Sequence, residues 1–114
     1  MPRHADDPKW NDPGLLVLGS LADGAKHGLA ILADLEGLAG TAFGPGTLYG
    51  VIARLESRGL IERLDGGDAR RHPYQLTARG AEVLRDQLAS MERFAARSTA
   101  RLRASAPNRA WGLA

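Results

Sequence analysis

The 114-residue chain contains no cysteine. Disulfides and thiolate metal sites are therefore excluded, and the composition suits a reducing cytoplasm. No apolar run approaches the roughly 20 residues that a bilayer-spanning helix needs. The N-terminal stretch MPRHADDPKWNDPG is polar and proline-containing, unlike a secretory signal. A cytoplasmic protein without a membrane partner is expected. Three histidines, His4, His27 and His72, lie too far apart in sequence to suggest a metal site. No Ser/His/Asp set, P-loop or dinucleotide fingerprint is visible. The GPG and DGGD runs lack the Lys-Ser/Thr or βαβ context that phosphate loops require, so they read as turns. No catalytic residue, metal or cofactor is expected.

The length suits one domain, and a hydrophobic fraction of 44% suffices for a core. The net charge of +2 is modest, but it is unevenly spread. Residues 1–44 carry three basic against six acidic side chains, and residues 45–114 carry twelve arginines against seven acids. Arginine suits bidentate contacts to phosphate or guanine. A genome rich in Arg codons explains the preference for arginine over lysine equally well, but not the clustering.

Residues 1–12 read as a loose arm. Asp12 and Pro13 are a helix N-cap and first helical residue. Leu15, Leu16, Leu18, Leu21 and Ala22 give the first helix its apolar face, and Gly24 ends it. A second helix is expected from about His27 to Leu38, with Leu29, Leu32, Leu35 and Leu38 as its buried row and Ile31 off that row as a candidate to widen the apolar face. His27, just before it, is read as a capping or packing residue. A third helix starts at Gly44-Pro45, buries Leu48, Val51, Ile52 and Leu55, and stops at Gly59. Leu60–Leu64 and Tyr74–Thr77 read as two strands flanking the turn Asp65-Gly66-Gly67-Asp68 and the basic run Arg70-Arg71-His72. Thr77 then caps a long last helix. Its Leu84, Leu88, Met91, Ala95, Ser98 and Leu102 follow heptad-like spacings.

This order predicts a mainly α fold with a small β-hairpin: a winged helix-turn-helix over 13–77, a C-terminal dimerisation helix over 78–104 and a tail over 105–114. Dimerisation through Leu84, Leu88, Met91, Ala95 and Leu102 is favoured over a helix packed across the first helix of its own chain. In such folds the start of the second helix of the motif meets base edges. Gly46 permits close backbone approach, and Thr47, Tyr49 and Arg54 lie off the buried face. Arg58 stands near the helix C-terminus, where the dipole favours a cation whatever its partner. Arg70, Arg71 and His72 at the hairpin tip suit phosphate or minor-groove contact. The competing readings are a half-buried ring for Tyr49 and solvated charges for the arginines. Trp10 and Trp111 are candidate walls of a ligand cavity at a dimer interface, or simply pack the chain ends.

The run LLVLGSLADGAKHGLAI resembles the opening of PadR-type transcriptional regulators. GPGTLYGVIARLESRGLIER resembles their reading helix, and RRHPYQLTARG the return strand of their wing. Together the three matches span about Pro13 to Leu88. Gly50 stands where the family often has proline, and His72-Pro73 replaces a basic-aromatic run. The resemblance implies a dimeric winged-helix repressor, some of whose relatives answer to small aromatic or drug-like ligands. It implies reading-helix contacts by Thr47 and Tyr49 and wing contacts by Arg70 and Arg71. The single C-terminal helix is similar to that of the short-tailed subgroup. The expected partner is a pseudo-palindromic duplex operator. The alternative is a winged-helix protein-interaction module that binds no DNA.

Overall fold

The computed structural model describes residues 12–39, 44–65 and 72–105. The elements run α1 (Pro13–Ser20), a 3-10 turn (Leu21–Asp23), β1 (Lys26–His27), α2 (Gly28–Ala39), α3 (Pro45–Ser57), β2 (Ile61–Arg63), β3 (Pro73–Leu76) and α4 (Ala78–Ser105).

Local chemistry sets the helix starts. The Asp12 carboxylate accepts from the Gly14 N–H at 2.8 Å, and Pro13 occupies the first turn of α1. Such a cap is worth roughly 1 kcal/mol. Gly44 precedes α3 in an extended conformation, again with proline next. Thr77 caps α4, its Oγ1 accepting from the Gly80 N–H at 3.0 Å. The same hydroxyl donates to the Gly59 carbonyl at 2.5 Å. Gly59 sits at φ +74°, the left-handed conformation that lets the chain leave α3 and enter β2.

The core gathers one face from each helix. Leu15, Val17, Leu18 and Leu21 meet Ile31 and Leu35 of α2, the four expected residues of α3, Leu60 and Ile61, and Val83 and Leu84 of α4. Leu29, assigned to the buried row of α2, is instead 63% exposed, while Leu35 of that row and Ile31 beside it are buried. Steps of three residues lag the helical turn by 60° each, so a row at strict threes walks around the cylinder.

The wing pairs β2 with β3, Glu62 opposite Gln75 and Arg63 opposite Tyr74. A short strand not foreseen in the sequence, β1, flanks β3 on its other side, so the sheet has three antiparallel strands in the order β1-β3-β2. A polar knot fastens the turn before it. The Lys26 ammonium donates to the Ser20 carbonyl and pairs with Asp23 at 2.6 Å and Asp34 at 3.0 Å. Ser20 Oγ donates to Asp34 at 2.7 Å. The Asp23 hydrogen bond leads the effects that raise the Lys26 pKa above its ordinary value. The Ser20 hydroxyl, then Lys26, hold the Asp34 carboxyl below its own.

The wing and α4 are joined at one point. Leu60 O accepts from the Thr77 N–H at 3.1 Å. Gly80 packs against that same carbonyl, and a Cβ there would collide with it. Beyond this joint α4 runs for 28 residues, about 42 Å at 1.5 Å per residue. Its buried residues are Gly80, Val83, Leu84 and Gln87, and Met91 packs partly on the core. Leu84, expected in the dimer seam, therefore belongs to the core of its own protomer. Leu88, Phe94 and Leu102 are 46%, 59% and 46% exposed, and Ala95 is exposed too. Phe94 was not in the expected seam.

Candidate nucleic-acid interface

The first turn of α3 is presented to solvent. Leu48 turns inward, which leaves Gly46, Thr47 and Gly50 exposed around it. No heavy atom lies within 4 Å of where a Cβ would stand at Gly46 or Gly50, so this surface is open for close approach.

Tyr49 is held differently. Its ring lies over Gly28 at the start of α2, and a Cβ at Gly28 would stand 2.8 Å from Tyr49 Cζ. The ring is 44% exposed. One side of Tyr49 thus closes the gap between α3 and α2, and the rest is exposed. The His-Gly pair acquires a physical reason, since any side chain at Gly28 would have to displace the ring. This close approach between two helices has no signature in local sequence.

Arg54 is engaged within the chain. It pairs with Asp12 at 3.4 Å, tying α3 to the cap of α1. Both groups are substantially exposed, so the pair is worth little in stability, but it restrains the guanidinium. Arg58 is exposed at the C-cap of α3. Arg70 and Arg71 lie outside the described residues, as do Trp10 and Trp111.

His72 and Tyr74, on the return limb of the wing, face the α2–α3 junction. With His27, Gly28, Leu29, Ala30 and Tyr49 they line an open cleft of about 370 Å³. His72 is half-buried, and its Nδ1 has no hydrogen-bond partner. Burial, then the negative charge of Glu56, pushes the Tyr74 phenol pKa up. His27 is exposed and lines this cleft rather than packing into the core. The pairing of His27 with Pro73 across β1 and β3 brings the two histidines to one place, although 45 positions separate them. Sequence reasoning included His72 but missed the cleft and Tyr74, because the strand that assembles them is only two residues long.

Among the described residues no group of three or more acidic, histidine or cysteine side chains could hold a metal ion. No described helix is long and apolar enough to cross a membrane.

Three helices closed by a β-hairpin, with the third helix exposed at its start beside that hairpin, define a winged helix-turn-helix domain extended by one long helix. The chain belongs to the transcriptional regulator PadR-like family, whose profile matches residues 17–86. This is a family of regulators rather than of enzymes. A Streptomyces fradiae protein described as an uncharacterized 37.1 kDa protein in transposon TN4556 is 45% identical over 89 residues. That match takes in 78% of this chain but only 26% of the relative, so the chain spans about a quarter of that protein's length. Among solved structures, the complex hsRosR-S1 of H. salinarum RosR superposes with a TM-score of 0.68 at 30% identity, over 85% of this chain and 87% of its own. Bacillus subtilis PadR in complex with operator DNA shares the fold, with a TM-score of 0.58 at 23% identity over 67% of this chain and 46% of its own.

Proposed function

We propose that the protein is a homodimeric, sequence-specific DNA-binding transcriptional repressor of the cytoplasm. The observation that carries the reading is the uncovered first turn of α3, Gly46 and Thr47, beside the wing of a regulator-family domain. Thr47 and Tyr49 are the reading-helix contacts, and Gly46 lets the backbone come close. Arg54, once released from Asp12, joins that groove-facing set, and Arg58 is a further contact from the same helix. Arg70, Arg71 and His72 place the wing on adjacent backbone. The operator-bound B. subtilis PadR structure supports such a partner for this fold.

The exposed apolar residues Leu88, Phe94 and Leu102 support a second copy as the partner of α4. With a two-fold axis, the operator is pseudo-palindromic, with half-sites about 10–10.5 bp apart. Relief by a small aromatic ligand, with Trp10 and Trp111 at the subunit interface, is a subsidiary part of the reading. Unchanged tryptophan fluorescence across a panel of planar aromatic compounds would remove it.

The direct test is fluorescence anisotropy with a duplex from upstream of the protein's own gene, beside a scrambled duplex, at two salt concentrations. Tighter binding to the native duplex that weakens with salt is expected. Arg70→Ala with Arg71→Ala should weaken binding and flatten the salt dependence; no change would refute the wing assignment. Absence of binding at low salt would favour a protein-interaction module instead.

A further inference from the structure

We propose that the cleft between α2, α3 and the wing seats one backbone phosphate of the bound duplex, with His27 and Tyr74 as its side-chain donors. The inference rests on the DNA-binding reading above and adds a site to it. Three observations carry it.

The first is the chemistry of the walls. Two imidazoles and two phenols line the cleft, and none of the lining residues is acidic. Imidazole N–H and phenol O–H groups donate hydrogen bonds, and a phosphodiester has only acceptor oxygens to offer. The first turn of α2 forms the remaining wall, and backbone N–H groups at a helix start favour an anion.

The second is an unspent polar atom. The Nδ1 of His72 is shut off from solvent without a partner. Such a group is costly to leave unsatisfied, and its residue lines this same cleft.

The third is how the cleft is made. Gly28 admits the Tyr49 ring, and the β1–β3 pairing holds His27 beside the wing. Tyr49 links the cleft to the exposed first turn of α3, since it lines the one and belongs to the helix of the other. A duplex read by Thr47 would run its backbone past this cleft, which favours a DNA phosphate over a free one.

The test replaces each phosphate of an operator half-site in turn by a neutral methylphosphonate. Binding is measured for the wild type, His27→Ala and Tyr74→Phe. His27 is exposed, so its removal leaves the core intact, and Tyr74→Phe removes only a hydroxyl. In the wild type, neutralising one phosphate per half-site should weaken binding roughly tenfold, as expected for a hydrogen bond to a charged group. In both variants the same replacement should cost less than about threefold, the non-additivity that marks a direct partnership. Equal costs in wild type and variants at every position would overturn the proposal while leaving DNA binding intact. A wild type that binds no duplex would instead overturn the DNA reading, and this site with it. Millimolar inorganic phosphate should displace the duplex no better than sodium chloride at matched ionic strength. Specific displacement that His27→Ala abolishes would assign the cleft to a free phosphate and overturn the DNA source.

Discussion

Gly80→Ala places one methyl group against the carbonyl oxygen of Leu60. That oxygen is backbone, held by the Thr77 N–H at 3.1 Å, so it cannot swing away as a side chain would. Relief requires α4 to move off the wing. Forcing one methyl into a closed site costs about 1–3 kcal/mol. Separation also weakens the Thr77–Leu60 hydrogen bond, worth about 1 kcal/mol. It further loosens the Thr77 cap on Gly80, worth about 1 kcal/mol. Alanine's better helix propensity returns about 1 kcal/mol. The net expectation is a loss of about 2–4 kcal/mol. For a domain of this size, each kcal/mol shifts the melting temperature by roughly 4–8 °C. Urea unfolding followed by circular dichroism, at one fixed protomer concentration, should show a midpoint well below wild type with a similar slope. A Gly80→Ala protein as stable as wild type would refute the packing of α4 on the wing joint.

Gly50→Ala is the contrasting case: it lies inside α3 with open space around it, and should stabilise by up to about 1 kcal/mol in the same assay. Asp34 supplies a pH dependence. Its folded pKa is lowered, chiefly by Ser20 and then Lys26, so its contribution is present above the ordinary carboxylate pKa of about 3.9. That contribution is lost as pH falls through the lowered folded value. Asp34→Asn should therefore narrow the gap between urea midpoints at neutral and acid pH, and an unchanged gap would count against the knot. Leu102→Lys, on the far exposed half of α4, should shift sedimentation towards monomer without lowering helix content; an unaltered dimer would move the interface elsewhere.

What the chain reveals locally and what it hides follow a physical division. Asp12 and Thr77 start helices through contacts within three residues of themselves, and Pro45 through its fixed φ, so their roles are legible in sequence. The apolar face of α3 is legible because its spacings of three and four match the helical turn. Of the row in α2, Leu35 is buried and Leu32 packs partly on the core, but Leu29 departs because a period of three drifts around the helix. Leu84 carries no local mark that it serves its own core rather than a second copy. The interface divides likewise. Thr47 is legible as an exposed residue opening a helix, while the Tyr49–Gly28 contact and the His27–His72 neighbourhood exist only once β1 pairs with β3. Arg54 looked free because its partner, Asp12, lies 42 residues away.

The joint at Thr77 has a mechanical consequence. One residue, Thr77, separates the return strand of the wing from α4, and the Leu60 carbonyl is held by its N–H and packed by Gly80 three residues on. Val83, Leu84, Gln87 and Met91 also seat the first half of α4 on the core, so wing, core and α4 turn as one body, with the wing as its short arm and the far end of α4 as its long one. A rod of about 42 Å tilted by about 10° at its anchored end sweeps its tip through about 7 Å. Read in reverse, several ångströms of sliding at the distant tip re-aim the wing by only a few degrees. Geometry therefore gears coarse motion at the far end of the molecule down to fine adjustment at the wing.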